Sequence, residues 1–164
     1  MALLLAVKGN HIKIVELLIS RPEIDVNLQD ICGDTALMIA SRRRFIEIVK
    51  LLLLRPESSA SQRLDVNLQN KDGSTALIIT SWWGRVEIVK LLLLRPDLDV
   101  NLRNEDGRTA LMIASWWGRV EIIKLLLLRS DLNVNFRDKY EITALEKASQ
   151  WGHTEIVSLL KNHK

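Results

Sequence analysis

The 164-residue chain has one cysteine, three prolines and seven glycines, and each scarcity excludes something. Cys32 has no partner for an internal disulfide, so a reducing compartment is expected, cytoplasmic or nuclear. The glycines and prolines are too few for a collagen-like or low-complexity chain. Long apolar runs are missing as well. The leucine stretches at 51–54, 91–94 and 125–128 are broken by charge long before the roughly 20 residues that a membrane span needs. Residues 1–20 do not read as a secretory signal, because no basic residue opens them and Lys8 interrupts their apolar stretch. Neither sign of charge dominates, and a net +3 is too weak to name a nucleic-acid partner. Aromatics are rare and lopsided: two Phe and one Tyr stand against five Trp, normally the rarest of the three.

Reactive constellations are missing too. No nucleophile elbow, phosphate loop or paired-carboxylate pattern occurs. His11, His153 and His163 are not spaced as metal ligands with Cys or Asp/Glu. No enzyme activity, metal or cofactor is therefore expected.

What the sequence does contain is a repeat. Thr35-Ala36-Leu37 recurs at Thr75, Thr109 and Thr143 in steps of 40, 34 and 34, and Met1-Ala2-Leu3 falls in the same register one step earlier. The long step carries a Ser-rich polar insert of six residues, 58–63, expected as a surface loop. Five units follow: a partial one at about 1–27, then 28–67 with the insert, 68–101, 102–135, and 136–164 as a C-terminal cap.

Each unit reads as helix, turn, helix and extended loop. The Thr is placed to cap a short first helix. Leu77 and Thr80, with Ile79 beside them, suggest one inward face. Gly84, Gly118 and Gly152 end that helix where a left-handed residue is wanted. Asn10 takes the slot in the first unit, and Arg44 takes it in the second, where strain is expected. A second helix, Val86 to Leu94 in the third unit, offers Ile88, Val89, Leu92 and Leu93 for burial. Pro22, Pro56 and Pro96 stop this helix, and Gly33, Gly73 and Gly107 mark a tight turn before the next Thr.

Asp72-Gly73-Ser74-Thr75-Ala76-Leu77, the Trp83-Gly84-Arg85 turn with its Glu87-Ile88-Val89-Lys90 helix, and Asp99-Val100-Asn101 together resemble the ankyrin repeat. The resemblance covers almost the whole chain. It implies an all-α solenoid of about five helix-turn-helix units with short β-hairpin-like connecting loops. The sequence departs from the family pattern at the Pro and His of the helix-opening motif, which are Ala and then Met38, Ile78, Met112 or Glu146.

The two residues before the inter-helix glycine are Lys8-Gly9, Arg42-Arg43, Trp82-Trp83, Trp116-Trp117 and Gln150-Trp151, so all five Trp share one slot. The resemblance implies that this slot and the hairpin tips line a concave surface for a protein or peptide partner. The residues carried over to it are Trp82, Trp83, Trp116, Trp117 and Trp151, Arg42 and Arg43, and at the tips Asp72, Ser74, Glu105, Asp106, Arg108 and Tyr140. Ile31, Cys32, Asp34, Lys71, Lys139 and Ile142 sit on the same tips.

Trp, Tyr and Arg dominate binding energy in such surfaces, whereas rings packed between units would only seal the stack. One Trp of each adjacent pair is expected to be partly buried, because neighbouring helical residues point about 100° apart. Methyl-lysine binding by cation–π attraction and stacking of single-stranded nucleic acid are alternatives on the same row. Asp34, Asp72, Glu105 and Asp106 would repel a nucleic-acid backbone, which argues against the latter. Units three and four are identical at 26 of 34 positions, so recent duplication, or a designed scaffold without a natural partner, is a further alternative. Arg42-Arg43-Arg44 reads first as a solvated basic face. Asn27, Asn67, Asn101 and Asn135 are expected to bond loop backbone.

The ends differ. From unit four to unit five Met112 gives way to Glu146, Leu127 to Lys161 and Leu128 to Asn162, as expected of a stack end that meets water. The first unit shows no such change. Leu5, Ile12, Ile14 and Leu17 leave it apolar on many sides, so further units before Met1 or weak self-association through this face are expected; otherwise the chain is a monomer.

Overall fold

The computed structural model describes residues 1–55 and 63–163. Ten helices occur among them, two to a unit, and no strand. The inner helices are α1 (Ala2–Lys8), α3 (Ala36–Arg43), α5 (Ala76–Trp82), α7 (Ala110–Trp116) and α9 (Ala144–Gln150). The outer ones are α2 (Ile12–Ile19), α4 (Ile46–Leu53), α6 (Val86–Leu93), α8 (Val120–Leu126) and α10 (Thr154–Asn162). Inner packs on inner and outer on outer, so each unit touches mainly its sequence neighbours. That is the arrangement of a solenoid.

The expected caps are in place. The hydroxyl oxygens of Thr35, Thr75, Thr109 and Thr143 accept from the backbone N–H three residues on, at 3.2–3.3 Å. This satisfies one of the free N–H groups at each inner-helix start. Asn10, Arg44, Gly84, Gly118 and Gly152 all have positive φ and turn the chain from inner to outer helix. Pro22 and Pro96 lie just beyond α2 and α6. Pro56 and all but Arg63 of the insert lie outside the described residues.

The expectation of one inward face on the inner helices is too narrow. Ala76 to Ser81 are all buried, because α5 has neighbours on both sides as well as its own outer helix behind it. Thr80 resolves its hydroxyl in that setting by donating to the Ala76 and Leu77 carbonyls, both at 2.9 Å. Outer helices do bury a single stripe. Ile88, Val89 and Leu92 are buried while Glu87, Lys90 and Leu94 face water; Leu93 is half-buried.

Between units the chain is stapled rather than sheet-paired. Asn27 Nδ2 donates to the Arg63 carbonyl at 2.8 Å and its Oδ1 accepts from Asp65 N at 2.9 Å. Asn67 does the same to Asp97 and Asp99, and Asn101 to Asp131 and Asn133. Asn135 is exposed and its side chain makes no such bridge among the described residues, so this fourth Asn departs from the expectation.

The hairpins close through Asp30 N to Asp34 O, Asn70 N to Ser74 O, Asn104 N to Arg108 O and Asp138 N to Ile142 O, at 3.0–3.1 Å. Each is joined to the next by one backbone bond: Lys71 N to Cys32 O, Glu105 N to Asp72 O and Lys139 N to Asp106 O.

At the first unit, Leu3, Leu4 and Val7 pack inward, but Leu5, Ile14 and Leu17 are 62%, 50% and 66% exposed. At the last, Glu146, Lys161 and Asn162 are exposed, as their polarity suggests.

Candidate functional site

Each inner helix ends on the Trp slot. Trp82 and Trp116 are the last residues of α5 and α7, and Trp83, Trp117 and Trp151 are the C-caps of α5, α7 and α9. The repeat step brings the rings into a row that crosses two unit boundaries. Trp82 stacks on Trp117 with centroids 5.8 Å apart, Trp117 on Trp116 at 5.9 Å, and Trp116 meets Trp151 at 6.4 Å. Offset stacking at these separations adds to the area the rings bury. Trp83 stands outside the row, under the Arg85 guanidinium at 5.8 Å.

Exposure within the pairs is uneven. Trp116 is half-buried, whereas Trp117 is 42% exposed, as expected of one partner in each pair. In the other pair both rings stay open, Trp82 at 44% and Trp83 at 49%. The difference lies in what surrounds the first ring. Trp116 has the Arg108 guanidinium 4.6 Å from its centroid and the Lys147 ammonium at 5.2 Å. At the corresponding positions Trp82 has Ser74 and Ile113. Trp151, in the last unit, is 62% exposed.

The cations over Trp116 are held by a buried carboxylate. Asp138 Oδ2 accepts from Lys147 Nζ at 2.7 Å and from Arg108 Nε at 3.4 Å. Its Oδ1 accepts from the Tyr140 and Ile142 N–H groups at 3.0 Å each. Burial pushes the Asp138 carboxyl up. The Lys147 hydrogen bond and the two backbone donors outweigh it and hold the carboxyl below the usual range.

Sequence reasoning missed Lys147 and Asp138. A signal was available: Ile39, Ile79 and Ile113 precede Lys147 in its slot, while Asp30, Asn70 and Asn104 precede Asp138 in its own. A lone cation in an aliphatic slot points to a counter-charge, and Asp138 restores the carboxylate that Asp30 holds in unit two.

Several proposed contact residues have partners inside the molecule. Arg42 grips buried Asp34 with both terminal nitrogens, at 2.6 and 3.1 Å, and Asn70 Nδ2 donates to the same carboxylate at 2.9 Å. Arg108 also holds Asp106 at 2.9 Å through Nη1. Asp106 is further bound by Lys139, whose hydrogen bond keeps its carboxyl below the usual range. Arg43 is exposed and donates to the Lys8 carbonyl at 3.2 Å. Tyr140 is 59% exposed, with Lys139 and Arg108 near its ring.

Asp72 and Glu105 are exposed and make no ion pair among the described residues. A cleft of about 200 Å³ separates the Asn70–Ser74 hairpin from Ile78, Trp82 and Trp83, with Arg42 at one wall. Arg42, Asp72, Ser74, Trp82 and Trp83 thus share one cleft, and Trp116, Trp117, Trp151, Asp106, Arg108 and Tyr140 gather one unit on. No group of His, Cys, Asp and Glu suited to a metal ion occurs among the described residues. No helix among them is long and apolar enough to cross a membrane.

A family model described as ankyrin repeats, in three copies, matches residues 3–104, 58–138 and 93–164. A comparison with the curated proteins returns no match. Ankyrin repeats are generally non-catalytic protein–protein interaction modules. Matched along nearly its whole length, and built of stacked helix pairs joined by hairpins, the chain belongs to the ankyrin-repeat family.

Proposed function

We propose that this chain is a non-catalytic interaction module that grips an extended or helical segment of a partner protein on its concave side. The observation that carries this reading is the row of open indole faces, Trp82, Trp117 and Trp151, with Trp83 beside it. Large rigid rings exposed side by side lose little conformational entropy when covered, which is why Trp is enriched among residues that dominate binding energy. The tips supply polar selection through Asp72, Ser74, Glu105 and Tyr140. Arg42, Arg108, Asp106 and Trp116 act as the positioning layer behind these contacts. The unpaired acids at Asp72 and Glu105 favour a peptide over a phosphate backbone.

A displayed random-peptide library selected on the wild-type protein tests the surface. Selected peptides should bind the Trp82→Ala, Trp83→Ala, Trp117→Ala, Trp151→Ala protein at least about thirtyfold more weakly, the equivalent of one hot-spot residue of about 2 kcal/mol. Helicity by circular dichroism should be retained. Equal affinity for both proteins would refute the site.

The exposed Leu5, Ile14 and Leu17 support weak self-association through the first unit. In sedimentation velocity the average mass should rise above the monomer with concentration, and Leu5→Lys with Leu17→Lys should remove the rise. A wild-type mass that stays constant across the range counts against it. The exposed, unpaired Cys32 supports a reducing, cytoplasmic or nuclear setting.

A further inference from the structure

The residue that follows each inter-helix turn has a recurring task. Arg119 Nη2 donates to the Trp82 carbonyl at 3.2 Å, and His153 Nε2 donates to the Trp116 carbonyl at 3.0 Å. Each reaches back one unit to the last carbonyl of an inner helix, the negative end of its dipole. By this pattern Arg85 would reach the carbonyl of Arg42, and it does not. Its guanidinium has no hydrogen-bond acceptor or carboxylate among the described residues; Nε is buried without a partner, and the group lies toward the Trp83 ring.

Two further cations without an ion pair among the described residues stand beside it. Lys90 makes no ion pair, although its counterparts do: Lys50 pairs with Glu47 at 3.7 Å, and Lys124 with Glu121 and Glu155 at 3.1 and 3.0 Å. Arg44 is exposed and unpaired, and it holds the left-handed turn position, φ 62°, that Gly84, Gly118 and Gly152 hold in the later units. An arginine kept in a conformation that favours glycine is an outlier asking for a role. Arg44, Arg85 and Lys90 line one concavity of about 560 Å³, and Glu87 is the only acid on its wall among the described residues.

We propose that this concavity between units two and three binds a phosphate monoester dianion. Three cations against one carboxylate leave a charge of +2 on the wall. A phosphate monoester carries about −1.5 to −2 near neutral pH, whereas a carboxylate or a phosphodiester carries only −1 and leaves the site under-neutralised. The two guanidinium groups supply forked donors suited to phosphate oxygens. The first turn of α6, which no side chain caps, lines the same space; its Val86 N–H is taken by the Gly84 carbonyl, which leaves those of Glu87 and Ile88 for an anion. The site shares none of its lining residues with the Trp cleft, and the two meet only where Arg85 lies over the Trp83 ring.

The test is a ¹H–¹⁵N NMR titration at constant ionic strength with inorganic phosphate, a phosphoserine peptide and its unphosphorylated counterpart. Inorganic phosphate should shift the amides of residues 84–90 saturably, and chloride should not. Arg85→Gln and Arg44→Gly should each weaken that binding about tenfold, as expected for loss of a charge-assisted contact. Arg44→Gly has a second readout: it should raise the unfolding midpoint while lowering affinity, because glycine relieves the left-handed backbone. A phosphopeptide that binds more tightly than inorganic phosphate identifies a phosphate carried by a partner chain, and equal affinities identify the free ion. Shifts that never saturate, or equal affinities in wild type, Arg85→Gln and Arg44→Gly, overturn the site.

Discussion

Asp138→Ala is expected to lower the unfolding free energy by about 3–5 kcal/mol, the cost typical of breaking a buried ion pair from one side. Asp138 is 2% exposed and Lys147 5%. Without the carboxylate, the Lys147 ammonium stays buried over Trp116 with its counter-charge gone, and the Tyr140 and Ile142 N–H groups lose their acceptor. Urea unfolding measures the loss; a change below about 1 kcal/mol would mean that Lys147 reaches water or a substitute partner at little cost. The double variant Asp138→Asn, Lys147→Ile should recover most of the stability, because it copies Asn104 and Ile113 of the preceding unit.

The pair also predicts a pH dependence with a definite sign. The folded-state pKa of Asp138 lies below its unfolded value, so the pair's stabilisation is fully present above the ordinary carboxylate range of about 4 and fades as pH falls through the folded value. The double variant should show a flatter acid limb than the wild type.

Gly73→Ala is the second large effect expected. Gly73 has φ 69°, and a Cβ there would sit 2.7 Å from Glu105 N and 3.0 Å from Asn104 in the next hairpin. The left-handed backbone costs a non-glycine residue about 1–2 kcal/mol. Displacing Glu105 from its bond to the Asp72 carbonyl adds about 1 kcal/mol. Glu141 is the internal control. It holds the same turn position at φ 62° in unit five, where no later hairpin among the described residues is pressed against it. Glu141→Gly should therefore stabilise by about 1–2 kcal/mol, the backbone part alone. If Gly73→Ala costs no more than Glu141→Gly gains, contact between hairpins contributes nothing.

The two glycine slots were legible in the sequence for the same reason that these substitutions are informative. A backbone demand for positive φ restricts residue choice sharply, and the restriction recurs in every unit. Helix caps were legible too, because Thr at a fixed step has one local role. Burial of the inner helices was not. Periodicity detects a face, and a helix covered on several sides has none, so Leu77, Thr80 and Ile79 understated what α5 hides.

The row of indoles could be placed in its slot but not joined into a stack, since spacing does not say which way a ring turns. Arg42 and Arg108 look like free contact residues for a related reason. Their partners, Asp34 and Asp138, are 8 and 30 residues away and meet them only through the hairpin geometry.

The Asn staples, the single hairpin bonds and the ring contacts at Trp82–Trp117 and Trp116–Trp151 have one thing in common: each joins a unit to the one that follows. Among the described residues no such contact ties unit two directly to unit four. The course of the Trp row is therefore an accumulated quantity, set by the angle at each junction. A rotation at the junction of units two and three, where Arg44, Arg85 and Lys90 meet, would swing every indole beyond it as a lever arm swings its far end.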